Sequence, residues 1–176
     1  MKRRLDNGAD ANETTGSGYT ALMYASMYGT EKMVELLVPK SDAKASNNEG
    51  KTALMYAARF GNEKMVELLL PNSDSKASNK DGQTTLMYAA QYGNKDFLEL
   101  LLSKSDAKAT DKQGYTALMY SAFYGTERMV EILLPKSDVN ARNNHDGKTA
   151  LLYAARRYGT NKITDGNGNT TLVFWK

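Results

Sequence analysis

A chain of 176 residues with 41% hydrophobic and 24% charged residues can bury a core, and only three prolines leave nothing that reads as a disordered tail. Its 23 basic and 20 acidic residues give a net charge of +3, too small a bias for tracking phosphates, so no nucleic-acid partner is expected. There is no cysteine for a disulfide, a thiolate nucleophile or a zinc site, and no apolar run of membrane-spanning or signal-peptide length, so an intracellular, cytoplasmic protein is expected.

Residues 7–17, NGADANETTGS, form a polar stretch ahead of the first complete unit. That unit opens at Gly18 with GYTALMYASMYG. Its wording returns at Gly50, Gly82 and Gly114, each 32 residues after the last, and at Gly147 after 33. Within it, Leu22, Ala25 and Ser26 share one face of a short helix through their i, i+3, i+4 spacing. Thr20 precedes that helix as an N-cap whose hydroxyl accepts from the open backbone N–H groups, and Thr52, Thr84, Thr116 and Thr149 repeat the arrangement. Gly29 ends the helix, with Gly61, Gly93, Gly125 and Gly159 in the matching places, and is expected to take the left-handed conformation common at helix ends. A second helix follows. It turns Met33, Val34, Leu36 and Leu37 toward a core and Glu31, Lys32 and Glu35 outward, and Pro39, Pro71 and Pro135 stop it in three copies. A polar loop then leads to the next glycine.

Helices of about eight to ten residues fall below the roughly 12–15 at which an isolated helix persists in water. One unit therefore cannot fold alone, and stacking the copies is how the chain obtains a continuous core. Ala25, Ala57, Ala58, Ala89 and Ala90 keep the first helices small enough to approach one another closely.

The repeated GxTALMYA openings and the loop SDVNARNNHDG from Ser137 resemble the ankyrin repeat family, whose unit carries a TPLHxA opening, a glycine between two antiparallel helices and a β-hairpin-like loop. Thr20, Leu22 and Ala25 stand where that family has Thr, Leu and Ala. The resemblance implies an all-α solenoid of helix-turn-helix repeats with short β-hairpin-like loops, here of period 32, forming a single domain over 1–176. Its divisions are a partial unit at 1–17, full repeats at 18–49, 50–81, 82–113 and 114–146, a truncated repeat at 147–167 and a partial one at 168–176. It also implies binding of another protein through loop tips and the concave surface of the first helices, without catalysis or a cofactor. Ala21 and Met23, like Ala53 and Met55, replace the family's Pro and His, so apolar packing by methionine is expected in place of a Thr–His hydrogen bond. The residue lost from the period falls in the PKSD turn. The fifth unit has an extra residue in AARRYG and little of a second helix, and Leu172, Val173, Phe174 and Trp175 leave an apolar end. Either that end packs back irregularly or sequence is missing; a monomer is expected, with association through the apolar end as the alternative.

Motifs of other classes are incomplete. The GKT at 50–52 and 147–149 lacks the glycine a phosphate-binding loop needs five positions earlier, where Ala45 and Arg142 stand. DGNGN at 165–169 starts like a calcium loop but continues with Thr170 where glycine is needed and reaches Lys176 where a bidentate Glu should be. His145 is the single histidine, so no metal cluster or Ser-His-Asp triad is expected, and it reads as a loop-tip residue. Asn12-Glu13-Thr14 and Asn169-Thr170-Thr171 are formal glycosylation sequons, read as chance. Lys44, Lys76 and Lys108, each two residues after Asp42, Asp74 or Asp106, read as weak charge pairing along stacked loops.

Two aromatic ladders remain. Tyr24, Tyr56, Tyr88, Tyr120 and Tyr153 are read as packing between units; Tyr28, Phe60, Tyr92, Tyr124 and Tyr158 are divided between core and an exposed binding ridge. The candidate partner-binding set joins Tyr28, Phe60, Tyr92 and Tyr124 to the variable first-helix positions Met27, Arg59, Gln91, Phe123 and Arg157. It adds the loop tips Asn48, Lys80, Lys112 and His145, and the residues after the opening glycines, Tyr19, Lys51, Gln83, Tyr115 and Lys148. The competing reading is a structural spacer, a repeat segment of a larger protein whose activity lies in another domain.

Overall fold

The computed structural model describes residues 8–92, 95–158, 161–164 and 170–173, with side chains described as far as Arg157. Four units follow one plan. First helices α1 (Ala21–Tyr28), α3 (Ala53–Phe60), α5 (Thr85–Tyr92) and α7 (Ala117–Tyr124) alternate with second helices α2 (Glu31–Leu37), α4 (Glu63–Leu69), α6 (Lys95–Leu102) and α8 (Glu127–Leu133). A ninth helix, α9 (Ala150–Tyr158), belongs to the fifth unit. First helices pack on first helices and second on second, so the molecule is two rows of short helices joined within each unit.

The threonines cap as expected. The N–H groups of Met23, Met55, Met87 and Met119 donate to the hydroxyl oxygens of Thr20, Thr52, Thr84 and Thr116 at 3.2, 3.3, 3.4 and 3.2 Å. Those methionines are buried to 1% exposure or less. In the third unit the Met87 sulfur also accepts from the Thr84 N–H at 3.4 Å, so methionine there supplies an acceptor as well as apolar packing. The core runs the length of the stack, built from Leu22, Leu54, Leu86 and Leu118 of the first row and Val34, Val66, Leu98 and Val130 of the second.

The helix-ending glycines are needed for a different reason from the one expected. Gly29, Gly61 and Gly125 are extended, with φ of −89°, −82° and −79°, and none is left-handed. At Gly61 the N–H bonds to the Ala57 carbonyl at 2.9 Å, and a Cβ would lie 2.7 Å from that same oxygen. Room for a methyl group, rather than φ, excludes other residues. Gly93 and Gly159 lie outside the described residues. The left-handed glycines are Gly8 and the opening ones: Gly82 has φ of 82°, and its missing side chain lets the next loop's Lys112 nitrogen come within 2.9 Å of where a Cβ would stand.

The prolines end the α-helices but not the winding. Val38–Lys40, Leu70–Asn72 and Leu134–Lys136 continue as single 3-10 turns, where proline's missing N–H is not required. In the following loops Asp42, Asp74 and Asp106 each accept at 2.9 Å from the backbone N–H of Lys44, Lys76 and Lys108. These aspartates fold the turn through their oxygens. Four loops close as narrow hairpins, each through a single bridge, Thr14 to Thr20, Ser46 to Thr52, Ser78 to Thr84 and Thr110 to Thr116.

The C-terminal segment departs from the plan. Strands β1 (Asn161–Thr164) and β2 (Thr170–Val173) pair antiparallel, with Asn161 opposite Val173 and Thr164 opposite Thr170. The residues after Gly168 that align with a first helix thus form a strand. Thr170, Thr171 and Leu172 repeat Thr84, Thr85 and Leu86 of the helical third copy, and β-branched Val173 in the place of Met87 is the change among these positions that favours extended backbone. The DGNGN stretch, and Phe174 and Trp175, lie outside the described residues.

Candidate functional site

A feature that sequence reading passed over organises the loops. Asn47, Asn79, Asp111 and Asn143 are buried at 3–6% exposure, one in each of four loops. Asn79 Oδ1 accepts from the Asp81 and Gln83 N–H groups, both at 2.9 Å, while its amide nitrogen donates to the Tyr88 hydroxyl at 3.1 Å. Asn47 does the same for Tyr56 at 3.0 Å, and Asn143 for Tyr153 at 2.7 Å. Asp111 has no donor to offer, so the Tyr120 hydroxyl donates to it instead, at 2.7 Å. The signal was present in the sequence, as one Asn or Asp three residues before Gly50, Gly82 and Gly114 and four before Gly147.

These bonds hold the first tyrosine ladder. Tyr56, Tyr88, Tyr120 and Tyr153 are 5–8% exposed, and burial pushes their hydroxyls above the usual tyrosine range. Tyr24 differs at 44% exposure. Its loop has Thr15 in the place of the asparagine; that threonine's oxygen accepts from the Tyr19 N–H at 3.1 Å. Tyr24 stacks on Tyr19 with ring centroids 5.3 Å apart.

The residues after the opening glycines reach toward the next unit's ladder. The Tyr56 hydroxyl donates to Tyr19 and the Tyr153 hydroxyl to Tyr115, each at 3.0 Å, and the Gln83 amide donates to the Tyr120 hydroxyl at 2.8 Å. Lys51 pairs with Glu49 at 2.6 Å, and Lys148 with Asp146 at 2.6 Å. All five are half-buried. Tyr19, Gln83 and Tyr115 therefore spend their polar groups inside the molecule, which their variation between copies did not reveal. Loop tips are joined as well, because the N–H groups of Asn48, Lys80, Lys112 and Asn144 donate to the carbonyls of Ser17, Glu49, Asp81 and Gln113 at 2.8–3.0 Å. The side chains of Lys80, Lys112 and His145 are exposed, as is Asn48, whose amide donates to the Gly16 carbonyl at 3.1 Å.

The second ladder is outside. Tyr28 is 79% exposed, and Phe60, Tyr92 and Tyr124 between 41% and 49%; the side chain of Tyr158 lies outside the described residues. Counted from the capping threonine, Arg157 occupies the ridge position of Phe60 and Tyr124, because α9 runs straight through the extra residue. Arg156 then takes the place of Arg59. The Arg59 guanidinium lies 4.6 Å from the Phe60 ring centre and 4.5 Å from that of Tyr92, linking two units by cation–π contact. Arg157 donates to the Phe123 carbonyl at 2.6 Å. Met27, Gln91 and Phe123 are half-buried. Phe123 meets Tyr124 edge-on at 4.6 Å and Tyr153 at 5.6 Å. Beside it a hollow of about 220 Å³ is lined by Gln91, Gln113, Tyr115, Tyr120, Phe123 and Tyr124 among others.

Charge is divided between the rows. First helices contain Arg59, Arg156 and Arg157 and no acidic residue, whereas α2, α4, α6 and α8 hold eight acidic against four basic residues. Among the described residues no group of three His, Asp or Glu side chains is placed to hold a metal ion, and no helix is long and apolar enough to cross a membrane.

Two rows of stacked helices with hydrogen-bonded loops define a helical repeat solenoid. The family model for ankyrin repeats, in three copies, matches residues 1–81 and 86–166, and the chain belongs to the ankyrin repeat family. Members of this family generally serve as protein–protein interaction modules and are typically non-catalytic. No curated protein matches the chain in a search by sequence.

Proposed function

We propose that this chain binds a partner protein through its first-helix face and the adjoining loop tips, and that no residue of it is catalytic. The observation that carries this reading is the row of Tyr28, Phe60, Tyr92 and Tyr124, four large aromatic side chains left 41–79% exposed on a frame whose inner ladder is buried and hydrogen-bonded. Aromatic residues supply large contact area at low entropy cost, and on a rigid support they are the residue type that concentrates binding energy at interfaces. Arg59, Gln91 and Phe123 lie beside the row, and Lys80 and Lys112 project from the tips. The half-buried Tyr19, Gln83 and Tyr115 support the loops instead of meeting the partner directly.

A pull-down from source lysate tests the reading. Wild type is compared with a variant carrying Arg59→Ala, Gln91→Ala, Phe123→Ala, Lys80→Ala and Lys112→Ala, after circular dichroism shows equal helicity. A protein captured by wild type and lost by the variant is the expected result. Capture of the same protein equally well by both sinks the assignment to this face.

A further inference from the structure

Two hydroxyl-to-hydroxyl contacts join neighbouring repeats, and both are tyrosine on tyrosine. We propose that Tyr19–Tyr56 and Tyr115–Tyr153 are oxidative cross-linking sites, where a peroxidase-type one-electron oxidant using hydrogen peroxide converts each pair to dityrosine and ties adjacent repeats covalently. This chemistry is independent of partner binding, because it joins residues of one chain.

The two pairs share one geometry. The Tyr56 hydroxyl donates to Tyr19 and the Tyr153 hydroxyl to Tyr115, each at 3.0 Å. Ring centres stand 5.8 Å apart in both pairs, tilted by 34° and 35°. Because the oxygens are closer than the ring centres, the rings converge at their hydroxyl ends. The ring carbons ortho to the hydroxyls, which hold much of the unpaired spin of a phenoxyl radical, flank that point of approach. One member of each pair is fixed: Tyr56 and Tyr153 are buried, and the amides of Asn47 and Asn143 donate to their oxygens at 3.0 and 2.7 Å. Tyr19 and Tyr115 are half-buried, so water can take up the protons released there.

Aromatic rings lead in from the surface. Tyr24, 44% exposed, stacks on Tyr19 at 5.3 Å. Tyr124, 49% exposed, stacks on Tyr120 at 6.4 Å, and Tyr120 lies 5.6 Å from Tyr115. An oxidant too large to reach the pairs takes electrons from the outer rings, and the vacancy passes inward from ring to ring. The chain has no cysteine thiol to intercept it. In each pair two electrons and the two phenolic protons leave, and the radicals join through a bond between ortho carbons. The displaced ortho protons move to the oxygens and restore both phenols. One hydrogen peroxide takes up the two electrons and two protons and becomes two waters.

Position gives the links a use. The α1–α3 and α7–α9 contacts are the first and last between first helices among the described residues, and a stack held by neighbour contacts opens from its ends. Closing a chain loop there restricts the opened state, as a disulfide does. The interfaces between them have Lys51 and Gln83 in the places of Tyr19 and Tyr115, and neither side chain can couple.

The full chain, kept dilute, is treated with peroxidase and limiting hydrogen peroxide, and tryptic peptides of the monomer are sequenced by mass spectrometry. The expected products are Tyr19–Tyr56 and Tyr115–Tyr153 links, each marked by dityrosine fluorescence and the loss of two hydrogen masses. Tyr56→Phe should lose the first link and keep the second, and Tyr153→Phe the reverse, so that each retained link reports an intact fold. Lys51→Tyr should gain a third link, to Tyr88, which the Asn79 amide holds as Asn47 holds Tyr56. Amide exchange in α9 should slow roughly tenfold in the linked protein. Links confined to the exposed Tyr28, Tyr92 and Tyr124, links only between molecules, or oxidation without dityrosine would each overturn the assignment. Unchanged exchange in α9 would overturn the role in holding the ends together.

Discussion

At the scale of single residues, Thr85 departs from its copies. It stands where the other units have Ala21, Ala53, Ala117 and Ala150, and its hydroxyl is fully buried with no hydrogen-bond partner among the described residues. An unpaired buried hydroxyl costs free energy that its removal recovers, so Thr85→Ala should stabilise the chain by about 1 kcal/mol in urea unfolding. Asn79 is the opposite case. Asn79→Ala removes the acceptor for two backbone N–H groups and the donor to a buried tyrosine, and should cost about 2–3 kcal/mol. Asn79→Asp should cost less, since Asp111 shows that the tyrosine can reverse the bond. The tyrosine ladder also sets an alkaline limit. Burial raises the Tyr56, Tyr88, Tyr120 and Tyr153 hydroxyls in the folded state, so the stability tied to their neutral form is complete below the ordinary tyrosine value of about 10 and is lost as pH rises beyond it. Unfolding midpoints should therefore fall from pH 10 upward, with four tyrosines ionising late in the absorbance at about 295 nm. A midpoint unchanged across that range would refute this.

At the scale of the element, α1, α3 and α7 are short cylinders, each bounded by a threonine hydroxyl at one end and a collision at the other. The cap was legible, because Thr before an apolar run has one local meaning wherever the run is helical. The stop was half legible: glycine was right, but the left-handed φ inferred for it was wrong. What excludes a side chain at Gly61 is the Ala57 carbonyl 2.7 Å from the would-be Cβ, a distance set by how tightly the chain bends into the second helix. Gly61→Ala should cost about 1–3 kcal/mol, as overpacking does, and reverse-turn propensity offers it no relief. Equal stability in chemical denaturation would show that the bend can open. The C-terminal strands make the complementary point, since Thr170, Thr171 and Leu172 repeat Thr84, Thr85 and Leu86 of the helical third copy yet pair as an extended strand, where Val173 replaces Met87 and a partner strand, β1, lies alongside.

At the scale of the whole molecule, stability passes from neighbour to neighbour. The α3, α5 and α7 helices have a first helix on either side, whereas α9 has α7 on one side and no second helix of its own among the described residues. Leu152 registers the difference: it is 50% exposed, while Met119 in the matching place is 1% exposed. Amide exchange followed by mass spectrometry should find α9 opening first and α5 last. Equal protection across the rows would mean that the stack opens as one unit and that neighbour coupling is stronger than its contacts indicate.

The sequence by itself determined the period, the two helices of each unit, the capping threonines and the alanine faces, because each of these is a local property that the chain states again in every copy. Only the tertiary structure decided which tyrosines lie inside and which form the outer ridge, that Tyr19, Gln83 and Tyr115 bind the following unit, and that a buried asparagine or aspartate ties four of the loops to their helices. Those relations span about 9 to 38 residues and depend on the distance and rotation between stacked units. No single repeat contains that geometry, which arises only when neighbouring copies bury their apolar faces against each other.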